Sequence, residues 1–392
     1  MIPLSLPDPS DEARRHSDVL TAHILKDIQD AGGTIPFSRF MELALYAPGL
    51  GYYSAGSTKF GPAGDFVTAP ELGPLFARCM AQAGVRVASK LNEAWDWVEL
   101  GGGSGAMAEH ALRHLHELGR LPDRYLILEP SADLRARQQE RLKARLPADL
   151  FARLGWLDGV PEHPWRGVLF ANEVLDALPI TRFQVRDGQV WEECVRWNEN
   201  RFERFERPAI DMLTRAVRAI EKARNAAFPA GYRSEVLLQL PWWLKAVTAS
   251  LERGLALFVD YGYNRREYYL ADRRDGTLIC HYRHRAHNQP FHWPGLTDIS
   301  SFVDFSHVAE SAHLAGLDLA GYCSQANFLL ANGLEQELTN SSLDERATRV
   351  RNEEVRKLTL PGEMGERFKV MGLQRGVDAS SLFAFGDMSA RL

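Results

Sequence analysis

Val98-Glu99-Leu100-Gly101-Gly102-Gly103-Ser104-Gly105 reads as a strand that runs into glycines and on into a helix from Ala106. Glycines let the backbone turn tightly and approach a ligand with no Cβ in the way. The order Gly101-x-Gly103-x-x-Ala106 satisfies a loose dinucleotide fingerprint. Two features favour S-adenosylmethionine (SAM) over NAD. Glu99 stands two residues before Gly101, where it would repel a pyrophosphate but suit an ammonium and a sulfonium. Gly105 follows Gly103 by two residues rather than three.

Outward from this loop a strand–helix alternation unfolds. WDWVEL (95–100), RYLILEP (124–130) and RGVLFANE (166–173) read as strands, and 106–118 and 132–146 as helices. This βαβ rhythm implies a mostly parallel sheet with helices on both faces, an α/β fold. Glu129 closes the second strand, 24 residues beyond Gly105, where a carboxylate can accept from both ribose hydroxyls. Asp158 reads either as an acceptor for an adenine amino group or as a turn aspartate. Asn172 and Glu173 end a further strand, where polar side chains of a parallel sheet face the ligand crevice. Asp176 reads either as part of an acidic wall with Glu173 or as an acid at a helix N-terminus.

The flanks divide as follows. Residues 1–90 are expected to form a helical N-terminal region that includes a Gly/Pro/aromatic stretch at 47–73, with helices at 17–31 and 36–46. Ser38 or Thr34 could cap the second of these helices. Residues 91–180 are the sheet core and 181–232 an insertion of meander strands and a helix. Residues 233–262 return to the core, and 263–392 supply a long loop, helices and a closing hairpin. Trp242 and Trp243 read as core or interface residues.

Composition bounds the function. The 392 residues carry 46 Lys+Arg against 51 Asp+Glu, a net charge of −5, which argues against a nucleic-acid partner. No apolar run reaches the length of a membrane span, so no stable membrane insertion is expected. The start lacks a signal peptide's apolar region and is too acidic for a transit peptide. Cys79, Cys194, Cys280 and Cys323 form no CxxC, and a cytoplasmic location is expected.

Several blocks stand out: PGLGYYS (48–54), GDFVTAPE (64–71), ELGGGSG (99–105), ANEVLDALP (171–179), LALFVDYG (255–262) and LTLPGEMGERFKVMGL (358–373), of which the second and the last have a residue order with no generic explanation. On these the chain resembles the MidA (DUF185) family of SAM-dependent methyltransferases, which includes a mitochondrial respiratory complex I assembly factor. The resemblance implies a class I, Rossmann-like methyltransferase fold with a helical N-terminal region and inserted elements. It also implies S-adenosyl-L-methionine as cofactor and protein arginine methylation, with a respiratory complex I subunit as the kind of substrate. This chain departs from the family at Gly102 and Ser104, where Pro and Arg are usual, and at Ala69 and Gly73, where Ser is usual.

An arginine nucleophile starts as a cation and needs carboxylates to bind its guanidinium. Asp65, Glu173 and Asp176 are the catalytic candidates; Tyr52, Tyr53, Glu71, Arg283 and His284 are the substrate-binding ones. Glu99, Gly101, Gly103, Gly105, Glu129, Asp158 and Asn172 are assigned to the cofactor. Cys280, His281, His284, His287 and His292 have the residue types of a zinc site, but Arg283 and Arg285 oppose a cation and no metal is expected. Two other readings stay open: a small-molecule methyltransferase with a closed pocket, and a SAM-binding assembly chaperone without essential catalysis.

Overall fold

The computed structural model describes residues 6–55, 68–339 and 344–392, which divide into two compact units. One unit holds residues 68–174, Leu240–Asn264 and Asp304–Leu392. Its principal strands are β1 (Asp96–Leu100), β2 (Arg124–Leu128), β3 (Leu154–Leu157), β4 (Trp165–Asn172), β5 (Leu251–Tyr263), β6 (Asp318–Ser324) and β7 (Phe368–Arg375). They lie in the order β3-β2-β1-β4-β5-β7-β6. The first five strands in that order pair parallel, and β7 is antiparallel to both β5 and β6. The sheet is the mostly parallel α/β sheet expected from the alternation around the glycine loop.

Burial explains why these segments are strands. β1 is buried at all five positions, and β5 is buried from Gly254 through Asp260, the near-continuous apolar run of a strand covered on both faces. The fully buried Trp97 of β1 stacks on Tyr125 of β2 at 5.7 Å between ring centroids. Truncating so large a side chain to Ala would cost on the order of 3–5 kcal/mol. Three helices flank the cofactor-side strands: α1 (Leu75–Leu91), α2 (Ala106–Glu117) and α3 (Ala132–Arg145). α2 buries Met107, Ala108, Ala111, Leu112 and Leu115 at three-to-four spacing. α3 buries Leu134, Gln138 and Leu142.

The second unit holds described residues 6–55 with Leu175–Gln239 and Arg265–Val303. Its first helix, Asp11–Asp30, is capped by Ser10 Oγ, which accepts from Ala13 N, and buries Leu20, Ile24 and Ile28. The helix Phe37–Tyr46 starts at Pro36 with no side-chain cap, so neither Thr34 nor Ser38 serves there. A five-stranded sheet runs Thr34–Pro36, Gln189–Asn198, Thr181–Arg186, Arg233–Val236, with Arg201–Pro208 paired to Gln189–Asn198.

Three features differ from the sequence division. Arg233–Val236, expected to return to the parallel sheet, pairs antiparallel with Thr181–Arg186, and the return comes at Leu240. The region 1–90 is split, because α1 packs in the parallel-sheet unit. The long loop after residue 262 contains a three-stranded sheet of Ile279–Tyr282, Arg285–His287 and Asp298–Ser300. Among the described residues no helix is long and apolar enough to cross a membrane.

Candidate active site

The glycine loop sits where the sheet register brings three strand ends together. Leu100 at the end of β1 pairs with Leu128 of β2 and Ala171 of β4, so Gly101, Glu129 and Asn172 each stand one residue beyond that row. The loop is pinned by Gly101 N donating to Leu128 O at 3.0 Å and Gly105 N donating to Gly102 O at 2.8 Å. Gly101 and Gly105 take φ of +69° and +84°, the left-handed region that L side chains rarely adopt, and Gly105 is the N-cap of α2. A helix N-terminus thus opens directly from the loop.

Glu99 is 3% exposed and accepts from the Tyr125 hydroxyl at 2.8 Å. Burial pushes its carboxyl up to about 8; the Tyr125 hydrogen bond pulls the other way and the nearby Glu129 charge adds to the rise. Glu129 is also buried; Oε1 accepts from Ser131 N at 3.0 Å and Oε2 from Gln138 Nε2 at 3.1 Å. Asn172 Nδ2 donates to Glu173 Oε1 at 3.0 Å, while its Oδ1 is buried with no hydrogen-bond partner among the described residues. Glu173 holds φ at +53°, and its N–H donates to Val259 O at 2.9 Å. A non-glycine residue in that region stores strain of a kind that clusters at functional sites.

The other sequence candidates fall elsewhere. Asp158 stands one residue beyond β3, with its side chain 93% exposed and ion-paired to Arg135 Nη1 at 2.7 Å. Glu71 accepts from the Ser104 hydroxyl in the glycine loop, and Ser104 Oγ also accepts from Arg141 Nη1 at 2.8 Å. The Glu71 carboxylate is thus engaged by the glycine loop. Asp65 lies outside the described residues.

In the second unit, the Tyr53 hydroxyl donates to Asp298 Oδ1 at 3.0 Å and its ring stacks on Tyr46. Burial, then the charges of Asp298 and Asp176, hold the Tyr53 hydroxyl well above its ordinary pKa. Tyr52 packs edge-on to Tyr53 and is buried, as is Asp176. Arg283 and His284 are exposed and form the two-residue turn between Ile279–Tyr282 and Arg285–His287, with φ of +46° and +60°. Among the described residues no group of three or more His, Cys, Asp or Glu could hold a metal ion.

Sequence reading passed over three residues here. Asp260 is 1% exposed in β5, next to Val259, the register partner of Asn172. Gln138 and Trp156 contact each other, and Gln138 touches the loop and Glu129. Periodicity held a signal for Gln138, which falls midway between Leu134 and Leu142 on the buried face of α3.

These residues fit S-adenosyl-L-methionine. Its ammonium, sulfonium and ribose diol need acceptors and negative charge, and the strand ends offer Glu99, Glu129 and the orphaned Asn172 Oδ1. At Gly102 a Cβ would lie 2.7 Å from Ile127 Cγ2 and 3.0 Å from Gln138 Nε2, so the absence of a side chain lets the loop pack closely on both.

Comparison with known proteins agrees. A crystal structure of a COG1565 superfamily protein from Burkholderia thailandensis, bound to S-adenosyl-homocysteine, is 41% identical and superposes with a TM-score of 0.92 over 99% of this chain and 100% of that one. The Danio rerio protein arginine methyltransferase NDUFAF7, mitochondrial, is 28% identical over 90% of this chain and 87% of its own length. The Drosophila melanogaster homolog is 27% identical over 97% and 90%. Residues 75–323 match the family model Methyltransf_28, described as "Putative S-adenosyl-L-methionine-dependent methyltransferase". The chain therefore belongs to this family of S-adenosyl-L-methionine-dependent methyltransferases.

Proposed function

We propose that the chain methylates an arginine side chain of a protein, with a respiratory complex I subunit as the kind of substrate. The observation that carries this reading is similarity over nine-tenths of the chain to relatives named protein arginine methyltransferases. The acids support it, since a guanidinium needs carboxylates to fork-bind it and leave lone-pair density on the attacking nitrogen.

When bound, SAM supplies a methyl group activated by its sulfonium. The chain's task is then to hold the partners in line at near-contact distance. Gly101–Gly105 and Glu99 are proposed to hold the amino-acid end, Glu129 the ribose, and Asn172 Oδ1 a donor of cofactor or substrate. Glu173, strained at the end of β4, is proposed to orient the guanidinium. In the second unit, Asp176 and Asp298 beside Tyr53 are proposed to receive basic side chains of the protein substrate.

The test is methyl transfer from isotope-labelled SAM into lysate of cells lacking the gene, followed by mass spectrometry of modified peptides. Label on an arginine of one respiratory subunit is expected. Label confined to small metabolites would overturn the protein substrate. No transfer by a protein that binds SAM would leave the chaperone reading standing.

A further inference from the structure

Gln138 lies on α3, outside the sequence motifs assigned to the cofactor, yet it is fully buried and its amide nitrogen donates to two residues of those motifs. Trp156 Nε1 donates to Gln138 Oε1 at 2.9 Å. An indole N–H can only donate, so this contact fixes which end of the amide is oxygen. The two hydrogens of Nε2 are then directed at Gly103 O, 2.9 Å away, and Glu129 Oε2, 3.1 Å away. One side chain thus ties together the glycine loop, the carboxylate after β2 and the indole on β3. Gly102 makes room for it, since a Cβ there would lie 3.0 Å from Gln138 Nε2.

We propose that Gln138 is a positioning residue for the cofactor, acting through Glu129 and Gly103 to set the carboxylate that receives the ribose hydroxyls. The proposal rests on the assignment of Glu129 and the glycine loop to SAM made above. Glu129 Oε1 is held by Ser131 N, so the Gln138 contact to Oε2 completes the pair that fixes the plane of the carboxylate. Without it the carboxylate loses one of the donors that set its plane, and the loop carbonyl of Gly103 loses a donor in a buried setting.

The experiment measures binding of S-adenosylhomocysteine and its 2′,3′-dideoxy analogue by calorimetry to the full chain and two variants. Gln138→Glu keeps the shape but faces Glu129 Oε2 and Gly103 O with an acceptor. It is expected to weaken S-adenosylhomocysteine by about 10- to 100-fold, the scale of hydrogen bonds to a charged group. Gln138→Leu is expected to lose about tenfold. The dideoxy analogue, which has no ribose hydroxyls to offer, should lose far less in both. Equal losses for the two ligands would overturn the proposal and leave a packing role. So would wild-type affinity in Gln138→Leu. A parent chain with full affinity for the dideoxy analogue would instead overturn the assignment of Glu129 to the ribose, and the proposal with it.

Discussion

The Tyr125 hydroxyl donates to Glu99 Oε2 at 2.8 Å between adjacent parallel strands, and it makes a carboxyl tolerable inside the sheet. Both side chains are buried, and Tyr125 is held in place by its stack on Trp97. The hydrogen bond does not offset the loss of water, so the Glu99 carboxyl stays raised to about 8 and is mostly protonated at neutral pH.

That state has a sign for stability and for binding. A carboxyl raised from 4.5 in the unfolded chain to about 8 in the folded one contributes stability below pH 4.5 that is lost as pH rises toward 8. Glu99→Gln should therefore flatten the fall of unfolding free energy across that window in urea titrations. A cationic ammonium beside Glu99 favours the carboxylate, so binding S-adenosylhomocysteine should release a proton and tighten as pH rises from about 6 to 7.5, by up to about tenfold per unit. Calorimetry in buffers of different ionisation enthalpy reads the proton directly. Affinity that does not change with pH, or proton release unchanged in Glu99→Gln, would show that Glu99 does not meet the ammonium.

Ser104 is the middle of a relay. It donates to Glu71, accepts from Arg141 Nη1 at 2.8 Å, and Arg141 Nε donates to the buried Glu109 at 3.1 Å. Ser104→Ala cuts the tie between the short helix Ala69–Leu72 and the glycine loop. Faster amide exchange at residues 69–72 is expected, with cofactor affinity about 3- to 10-fold weaker. Arg141→Lys should be nearly as damaging, because one ammonium does not reproduce the planar fork that serves both acceptors. Unchanged exchange in Ser104→Ala would show that the contact orders nothing.

Asp158 provides the contrasting case. Its ion pair with Arg135 is exposed, and such pairs contribute about 0–1 kcal/mol. Asp158→Asn should leave the melting temperature within about 4 °C, and the S-adenosylhomocysteine affinity within about twofold, of the parent. A loss beyond tenfold would return Asp158 to the adenine.

Much of this arrangement was legible from residues 95–173, because a buried parallel strand, a glycine turn and an amphipathic helix each leave a local signature. Glu99, Glu129 and Asn172 followed as the polar residues at strand ends. What escaped depends on contacts distant in sequence. Gln138 meets Trp156 and Gly103 only once α3 has packed back on the sheet. The segment RSEVLLQL (233–240) carries enough apolar residues to read as a core strand, but its strand Arg233–Val236 pairs with Thr181–Arg186, a partner chosen by the tertiary fold. The turn at Arg283 and His284 escaped for a different reason. They occupy the positive-φ positions of a tight hairpin turn with no Gly or Asn to announce it.

Glu173 carries the prediction that separates function from scaffold. Its backbone is in the left-handed region at φ +53°, its N–H is fixed to Val259 O, and its Oε1 accepts from Asn172 Nδ2. A residue kept there for its carboxylate holds backbone strain that glycine would not. Glu173→Gly relieves about 1 kcal/mol of that strain, offset by the flexibility glycine adds to the unfolded chain. The melting temperature should therefore stay within a few degrees of the parent. Glu173→Asn tolerates the same conformation with a shorter, neutral side chain. If the carboxylate orients the substrate's guanidinium, both variants should bind S-adenosylhomocysteine within about threefold of the parent and lose about 100-fold or more in methyl transfer. A parallel loss of stability and activity in Glu173→Gly would make Glu173 a structural anchor for the end of β4. Full transfer by Glu173→Asn would show that no charge is needed at that position, and the guanidinium role would fall with it.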